Sequence, residues 1–382
     1  MTEYRICSKC ILDTKDDPEI KFDTEGVCNY CHEYERLAER QVLSPEGKRE
    51  MLNSIVESIK KDGRGKEYDC IFGISGGTDS TYLACEIKKL GLRPLVVHFD
   101  NGWNSELAVK NIENVLNKLG LDLFTYVVDW EEFKDIQLSF IKASVIDIEL
   151  VTDQAIMAVL YNEAVKRGIK YVVTGHNFVT EAILPKRWYH TKLDVLNLKA
   201  IHKKNGKIKL KTYPTFNYLK KAYSNNILKL KIVSLLDYLD YNKDEAKKII
   251  TEQFGWRDYG GKHYESIFTR FYQGYILPVK FKVDKRKAHL STLINSGQMS
   301  REEALKEIAR PPYEPEQLEK DKEFVLKKFG FSEKEFDEIM NMPVRSHLEY
   351  ASYLKYHYKY EVWLSKKMKP ITRPLKRLLG IR

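Results

Sequence analysis

The run DCIFGI at residues 69–74 leads straight into SGGTDS at 75–80, and the ten residues that follow, TYLACEIKKL, end at Gly91. A short apolar stretch reads as a buried strand, and a helical stretch over 80–90 that stops at a glycine reads as a helix. Between them lie Gly76 and Gly77. A strand, a glycine turn and a helix start in this order bring several backbone N–H groups and the positive end of a helix to one point, which is an anion site by geometry and by dipole. The glycines permit close backbone approach, and Ser75, Thr78 and Ser80 add hydroxyls. No lysine follows in the GxxxxGK[ST] pattern, so the phosphate loop of kinases and GTPases is excluded.

Working outward, the same alternation repeats. PLVVHF at 94–99 reads as a second strand and 105–119 as a helix ending at Gly120. LFTYVV at 123–128 reads as a third strand, 152–167 as an apolar helix ending at Gly168, and IKYVVT at 169–174 as a fourth strand. Apolar strands alternating with helices specify βαβ units, hence an α/β fold with a doubly wound parallel sheet. Ligands of such sheets bind at the carboxyl ends of the strands. HFDNGW (98–103) stands at the end of the second strand and TGHN (174–177) at the end of the fourth. Residues 36–62 read as helical. After about 197 the pattern loosens, and 199–231 reads as a hairpin or an inserted loop. From 266 onward helices are expected at 285–296, 300–309, 314–329, 332–341 and 347–367. The chain therefore divides into a cysteine knuckle (1–35), a nucleotide domain (36–198), a lysine-rich insertion (199–231) and a mostly helical region with a basic tail (232–382).

Six cysteines occur. Cys7, Cys10, Cys28 and Cys31 form C-x2-C-x17-C-x2-C, in which each pair can place two thiolates on one ion. Two pairs complete a tetrahedral S4 shell that suits Zn²⁺, and a closed shell reads as structural. The 382 residues are 43% hydrophobic and 31% charged, which fits a folded globular protein rather than a disordered one. There is no apolar run of about 18 residues that would make a transmembrane helix and no secretory leader pattern, so the cytoplasm is the expected compartment. The net charge is +10, but residues 199–231 alone carry ten lysines and no acid, and 345–382 carry ten Lys/Arg against two Glu. The rest of the chain is net negative. This asymmetry reads either as contact with a polyanion or membrane surface or as ordinary solvated surface.

The loop SGGTDS resembles the SGGxDS pyrophosphate loop of N-type ATP pyrophosphatases, a group that includes asparagine and GMP synthetases and tRNA-modifying enzymes. A longer ordered set of strings resembles the N-acetyl sugar amidotransferases more closely. It comprises CxxC, GVCNYC, GISGGTDS, HFDNGWNSE, ELVTDQAI, TGHN, GWRDYGGKHYESIFTRFYQGYILP and KRKAHLSTLINSGQMSREEAL, and spans about residues 4–313. That resemblance implies an ATP-dependent ligase that turns a sugar acetamido group into an acetamidino group for lipopolysaccharide O-antigen, capsule or flagellin glycan. It implies ammonia from a separate glutaminase resembling that of histidine biosynthesis, with or without a cyclase-like subunit, and a nucleotide-activated N-acetyl sugar as substrate. ATP, Mg²⁺ and Zn²⁺ are the expected cofactors.

Carried over position by position, the resemblance puts Ser75, Gly76, Gly77, Thr78, Asp79, Ser80, Asp100, Asn101, Gly175 and His176 around the nucleotide. Asp79, Ser80, His176 and Lys262 take catalytic roles, with Asp79 as the ligand for Mg²⁺. Asn177, Trp256, Arg257, Asp258, Lys262, His263 and Glu265 face the substrate. In the charged, glycine-rich stretch 255–270, Arg and Lys suit phosphates, while Trp256 or Tyr259 suits ring stacking; the same stretch also reads as an ion-paired helix start. Glu149, Thr152 and Asp153 are further possible contacts, with Thr152 favoured as a helix N-cap. Arg286 and His289 are weaker candidates. Thiolation and lysidine enzymes carry an acidic pair after GHH, whereas here only Glu181 follows.

Two other readings stay open. A tRNA-modifying enzyme would suit the loop, the knuckle and the basic patches, but no RNA module is visible, and Cys70 and Cys85 lie in a strand and mid-helix, unlike mobile sulfur carriers. A non-catalytic zinc-knuckle scaffold is the other. No nucleic-acid partner is expected. Neither Cys70 nor Cys85 has the setting of a glutaminase nucleophile, so ammonia must come from elsewhere.

Overall fold

A computed structural model describes residues 3–260 and 264–356. In chain order, α1 (Asn29–Gln41) and α2 (Pro45–Asp62) precede β1 (Cys70–Gly73), α3 (Thr78–Lys89), β2 (Pro94–Asp100), α4 (Glu106–Leu119), β3 (Leu123–Val127), α5 (Trp130–Ala143), α6 (Leu150–Lys166) and β4 (Tyr171–Thr174). Then come α7 (Phe178–Glu181), α8 (Val195–Asn205), α9 (Tyr218–Asn226), β5 (Lys231–Ser234), α10 (Lys243–Phe254) and α11 (Ile267–Phe271). A π-helical stretch (Tyr272–Phe281) and α12 (Arg286–Asn295), α13 (Arg301–Ile308), α14 (Pro315–Phe329) and α15 (Glu333–Asn341) complete the described elements, with short 3₁₀ turns between some of them.

The five strands form one sheet in the order β3-β2-β1-β4-β5, and every pairing is parallel. The central strand β1 is apolar because both its faces are covered. Period-two alternation splits its side chains: Ile71, with Leu95, Val97 and Val172, faces α5, α6 and the C-terminal helices, while Cys70 and Phe72, with Val96, Tyr171 and Val173, face α2 and α3. This is the doubly wound α/β architecture expected from the sequence.

Helix starts follow local chemistry. Ser44 caps α2 by accepting from Gly47 N, with Pro45 at its first position; Ser105 and Asp129 cap α4 and α5 in the same way. Thr152 is not a cap. Helix α6 begins earlier, at Leu150, with Glu149 in the cap position but without a side-chain cap bond.

The lysine-rich stretch differs from the expected hairpin or insertion. The boundary expected at 198/199 falls inside α8, and the stretch goes on through α9 to deliver β5, which pairs with β4 from Tyr171↔Lys231 to Thr174↔Ser234. Hydrophobic alternation misses α8, whose outward side is rich in lysine, and α9, which turns Leu219 and Tyr223 outward. The knuckle does not stand apart as a head: Arg301 donates to the carbonyls of Cys7 and Cys10, Lys287 pairs with Asp13 and Asp16 at 2.8 Å, and Trp188 packs into the same apolar cluster. Of the helix expected at 347–367, residues 347–349 form a 3₁₀ turn and 353–356 one helical turn; the remainder lies outside the described residues.

Candidate active site at the carboxyl end of the sheet

The loop 74–80 leaves β1 and enters α3 with Gly77 in the cap position. Gly76 has φ +84°, and a Cβ there would come within 2.9 Å of the Ala108 carbonyl oxygen. Only glycine fits this turn. The Gly76 carbonyl accepts from the Trp256 indole N–H at 2.8 Å and from the Tyr259 hydroxyl at 2.7 Å. The Tyr259 hydroxyl in turn accepts from Asn111 Nδ2 at 2.9 Å. Ser75 and Ser80 bond one another through their hydroxyls at 3.2 Å; Gly77 N–H donates to Ser75 Oγ, and Ser80 Oγ donates to the Gly77 carbonyl. The loop is thus fixed by hydrogen bonds within the protein itself.

Asp79 sits in the first turn of α3, where the helix dipole favours a carboxylate, and accepts from the hydroxyl of Tyr241. Burial, together with the Asp79 charge, pushes the Tyr241 phenol well above its ordinary pKa, so this hydroxyl keeps its proton and remains a donor. The end of β4 lies against the same turn: a Cβ on Gly175 would sit 3.4 Å from the backbone of Asp79 and Ser80. The side chain of His176 is 61% exposed, with Nε2 3.4 Å from Glu181 Oε2. Nearby, Asp237 accepts from Phe178 N at 2.6 Å, and burial pushes its carboxyl upward.

At the end of β2, Asp100 accepts from Gly102 N at 2.9 Å and Asn101 from Trp103 N at 3.2 Å, a tight Asx turn. Asp100 also lines a cavity of about 190 Å³ with Gly102, Val127, Val128, Trp130 and Lys328. The ammonium of Lys328 lies 4.7 Å from the ring centres of both Trp103 and Trp130 and donates to the Gly102 carbonyl. Burial lowers its pKa. His98 binds the Ile74 carbonyl through Nδ1 at 3.0 Å and Asn104 through Nε2 at 3.1 Å, so Nδ1 carries the proton and Nε2 accepts.

Several expected substrate residues prove to have other duties. Trp256 is only 1% exposed and its ring cannot stack on a sugar; together with Tyr259 it holds the loop instead. Asn177 is fully buried and caps α7, accepting from Thr180 N and Thr180 Oγ1, with its own Nδ2 unpartnered among the described residues. Arg257 is exposed, and its backbone bonds Asn111 in both directions. Asp258 pairs with Lys247 at 2.6 Å. Glu265 does come to the loop: a Cβ on Gly77 would lie 3.2 Å from its carboxyl oxygen. Lys262 and His263 lie outside the described residues.

A second polar cluster surrounds the start of α6. Glu149 Oε2 accepts from Thr269 Oγ1 at 3.1 Å, and its Oε1 is buried without a partner among the described residues. Burial, with the Asp153 charge, pushes Glu149 up to about 7. Lys192 bridges Asp147 at 2.7 Å and Asp153 at 3.0 Å. Burial works against the Asp147 carboxylate, but Lys192 and Lys285 outweigh it and hold it below its ordinary range. Glu149 and Asp153 are legible as acids ahead of an apolar helix. Lys192, in an irregular segment, and Tyr241, between a 3₁₀ turn and α10, carry no periodic or motif signal.

The four knuckle cysteines are fully buried, and their sulfurs lie within 4.8 Å of one another, at separations such as 3.7 Å for Cys10–Cys28 and 3.9 Å for Cys7–Cys31. A tetrahedron with Zn–S bonds of ~2.3 Å has edges of about 3.8 Å, so the donor set fits Zn²⁺. Backbone N–H groups of Cys10 and Cys28 and the Asn295 amide point at these sulfurs, as thiolate ligands require.

A doubly wound parallel sheet with a preset loop of N–H groups at the carboxyl end of its central strand defines an α/β protein with an anion-binding geometry at that end. Residues 265–363 match the family model described as the C-terminal domain of WbpG-like LPS biosynthesis proteins. This supports the resemblance to the sugar amidotransferases and includes Glu265, Thr269 and Arg270 in that domain. The chain is 25% identical over 313 residues to the uncharacterised protein MJ1599 of Methanocaldococcus jannaschii, covering 80% of this chain and 93% of that one. Among solved structures, a predicted tRNA methyltransferase subunit from M. jannaschii aligns with TM-score 0.29 and 13% identity over 48% of this chain and 75% of that one. The NMN synthetase of Francisella tularensis aligns with TM-score 0.29 and 14% identity over 56% and 88%.

Proposed function

We propose that this protein is an ATP-dependent amidotransferase of LPS biosynthesis, which activates the acetamido oxygen of a sugar and replaces it with ammonia-derived nitrogen. The observation that carries this reading is the clamp on Gly76. The string GWRDYGG, which most distinguishes the sugar amidotransferases in the sequence, supplies Trp256 and Tyr259 to the phosphate loop, so family signature and nucleotide site are one structure.

An amide carbon is a poor electrophile and its oxygen a poor leaving group. Attack of that oxygen on the α-phosphorus of ATP forms an O–P bond and releases pyrophosphate, which the N–H groups and hydroxyls of 75–80 would hold. Loss of the amide N–H proton leaves an O-adenylyl imidate. Ammonia then adds to the imidate carbon, the C–O bond breaks, and AMP departs carrying the former amide oxygen. Asp79, which accepts from Tyr241, would hold Mg²⁺, which when bound would neutralise phosphate charge. Glu265, beside Gly77, and His176, just after β4, are the further groups that would act here. Ammonia from a partner glutaminase and a nucleotide-linked sugar complete the proposal.

The test is release of AMP and pyrophosphate from Mg-ATP with ammonium salt and a panel of nucleotide-linked diacetamido sugars, followed by mass analysis. Sugar-dependent AMP and a product in which NH replaces oxygen are expected; no AMP with any sugar of the panel would refute the reaction.

A further inference from the structure

The two basic segments of the sequence, 199–231 and 345 onward, meet on one face. Asn197 Nδ2 donates to the His347 and Ala351 carbonyls, Lys204 lies 5.4 Å from the Tyr350 ring centre, and Tyr218 packs edge-on against Tyr353 at 5.7 Å. On that face α9 turns its small buried Ser224 inward. Leu219 and Tyr223, four residues apart, and Ile227 beyond them point outward, being 80%, 55% and 65% exposed. Ile232 on the neighbouring edge strand is half-exposed as well. Lys220 and Lys221 lie on α9 itself and Lys229 just beyond it; nine of the ten lysines in 199–231 are exposed, and no acid occurs in that span.

We propose that this face docks on an anionic lipid membrane, with Leu219, Tyr223 and Ile227 entering the headgroup boundary and the lysines paired with lipid charge. Three observations choose this occupant. The span 199–231 carries ten lysines and no acid, a charge that complements an anionic surface. The cations of 199–231 are all lysine, whereas protein interfaces favour arginine and deplete lysine. The exposed stripe includes aliphatic Leu and Ile, which suit an acyl boundary better than the stacked bases of a nucleic acid. The sequence beyond the described residues, 357–382, continues the same composition, with eight Lys/Arg against one Glu among Trp, Leu and Ile. The inference is independent of the reaction proposed above.

The experiment is flotation of the full-length protein with phosphatidylcholine vesicles, with and without phosphatidylglycerol, at rising salt. Binding to the anionic vesicles is expected to be at least ~10-fold tighter than to the neutral ones and to weaken with salt. The Leu219→Ser/Ile227→Ser double variant, with melting curve and zinc content as in the parent, is expected to lose a further ~10-fold or more. Lys229→Glu is expected to weaken only the anionic arm. Absence of binding to anionic vesicles at low salt, equal binding to both vesicle types, or unchanged binding by the double variant would each overturn the proposal, including the case in which an acidic protein is captured instead.

Discussion

At the scale of single residues, the site depends on groups that touch backbone rather than ligand. The Gly76 carbonyl has two side-chain donors, and loss of one hydrogen bond is worth about 1 kcal/mol. Trp256→Phe keeps the ring packing and removes one donor. It is expected to raise the KM for ATP in AMP formation about fivefold without lowering the melting temperature by more than a few degrees. An unchanged KM would mean that the clamp does not tune the loop. Glu149 offers a pH test. Its carboxyl is raised from an ordinary value of 4.5 to about 7 by burial and by Asp153. A raised folded-state pKa means that the folded protein holds a proton the unfolded chain has already lost. This contribution is therefore complete below about pH 4.5 and declines as pH climbs toward 7. Glu149→Gln mimics the protonated form, so the variant is expected to gain on the parent between pH 5 and 8, by up to ~3 kcal/mol in urea unfolding. A constant difference across that range would refute the assignment.

At the scale of elements, the knuckle acts as a clasp between the N-terminus and the helices α12 and α13. Arg301 bonds carbonyls inside the first CxxC, and Lys287 ties down Asp13 and Asp16. Cys28→Ser, or removal of metal by a chelator, is expected to abolish one equivalent of zinc by metal analysis and to lower the melting temperature by several degrees. A metal-free protein of equal stability would remove the structural role. The sheet was legible at this scale because β1, β2 and β4 are short apolar runs closed by glycine-stopped helices. The loop 75–80 was legible because its glycines and hydroxyls have a geometric purpose. Helices α8 and α9 and the strand β5 were not, since an edge strand, a lysine-coated helix and a helix with outward Leu219 and Tyr223 lack a clean apolar period. Trp256 and Asn177 were read as ligand contacts because type and spacing carry no information about burial; only packing shows that one serves the loop and the other a helix end.

At the scale of the whole molecule, the candidate site is assembled from distant parts: the loop from 74–80, the Asx turn from 100–103, the start of α6, and residues 256–260 and 264–269. Cys70 and Cys85 are both buried, and burial pushes both thiols up, Cys85 to about 12. Neither suits the thiolate nucleophile that glutamine hydrolysis needs. Glutamine alone is therefore expected to give less than ~1% of the amidine formed with ammonium salt, read by mass spectrometry, and addition of a matching glutaminase to restore turnover. Equal turnover with glutamine alone would refute the need for a partner. The Gly76 clamp also sets a timetable for the newborn chain. Trp256 lies 180 residues beyond the carbonyl it holds. At roughly 5–20 residues per second of synthesis, the phosphate loop leaves the ribosome roughly 10–40 s before its fastener does. A ribosome-bound chain that already has its central strand would therefore grip ATP poorly until about two-thirds of it has been made, so nucleotide affinity measured on stalled chains of increasing length should rise in a step once Trp256 and Tyr259 have emerged.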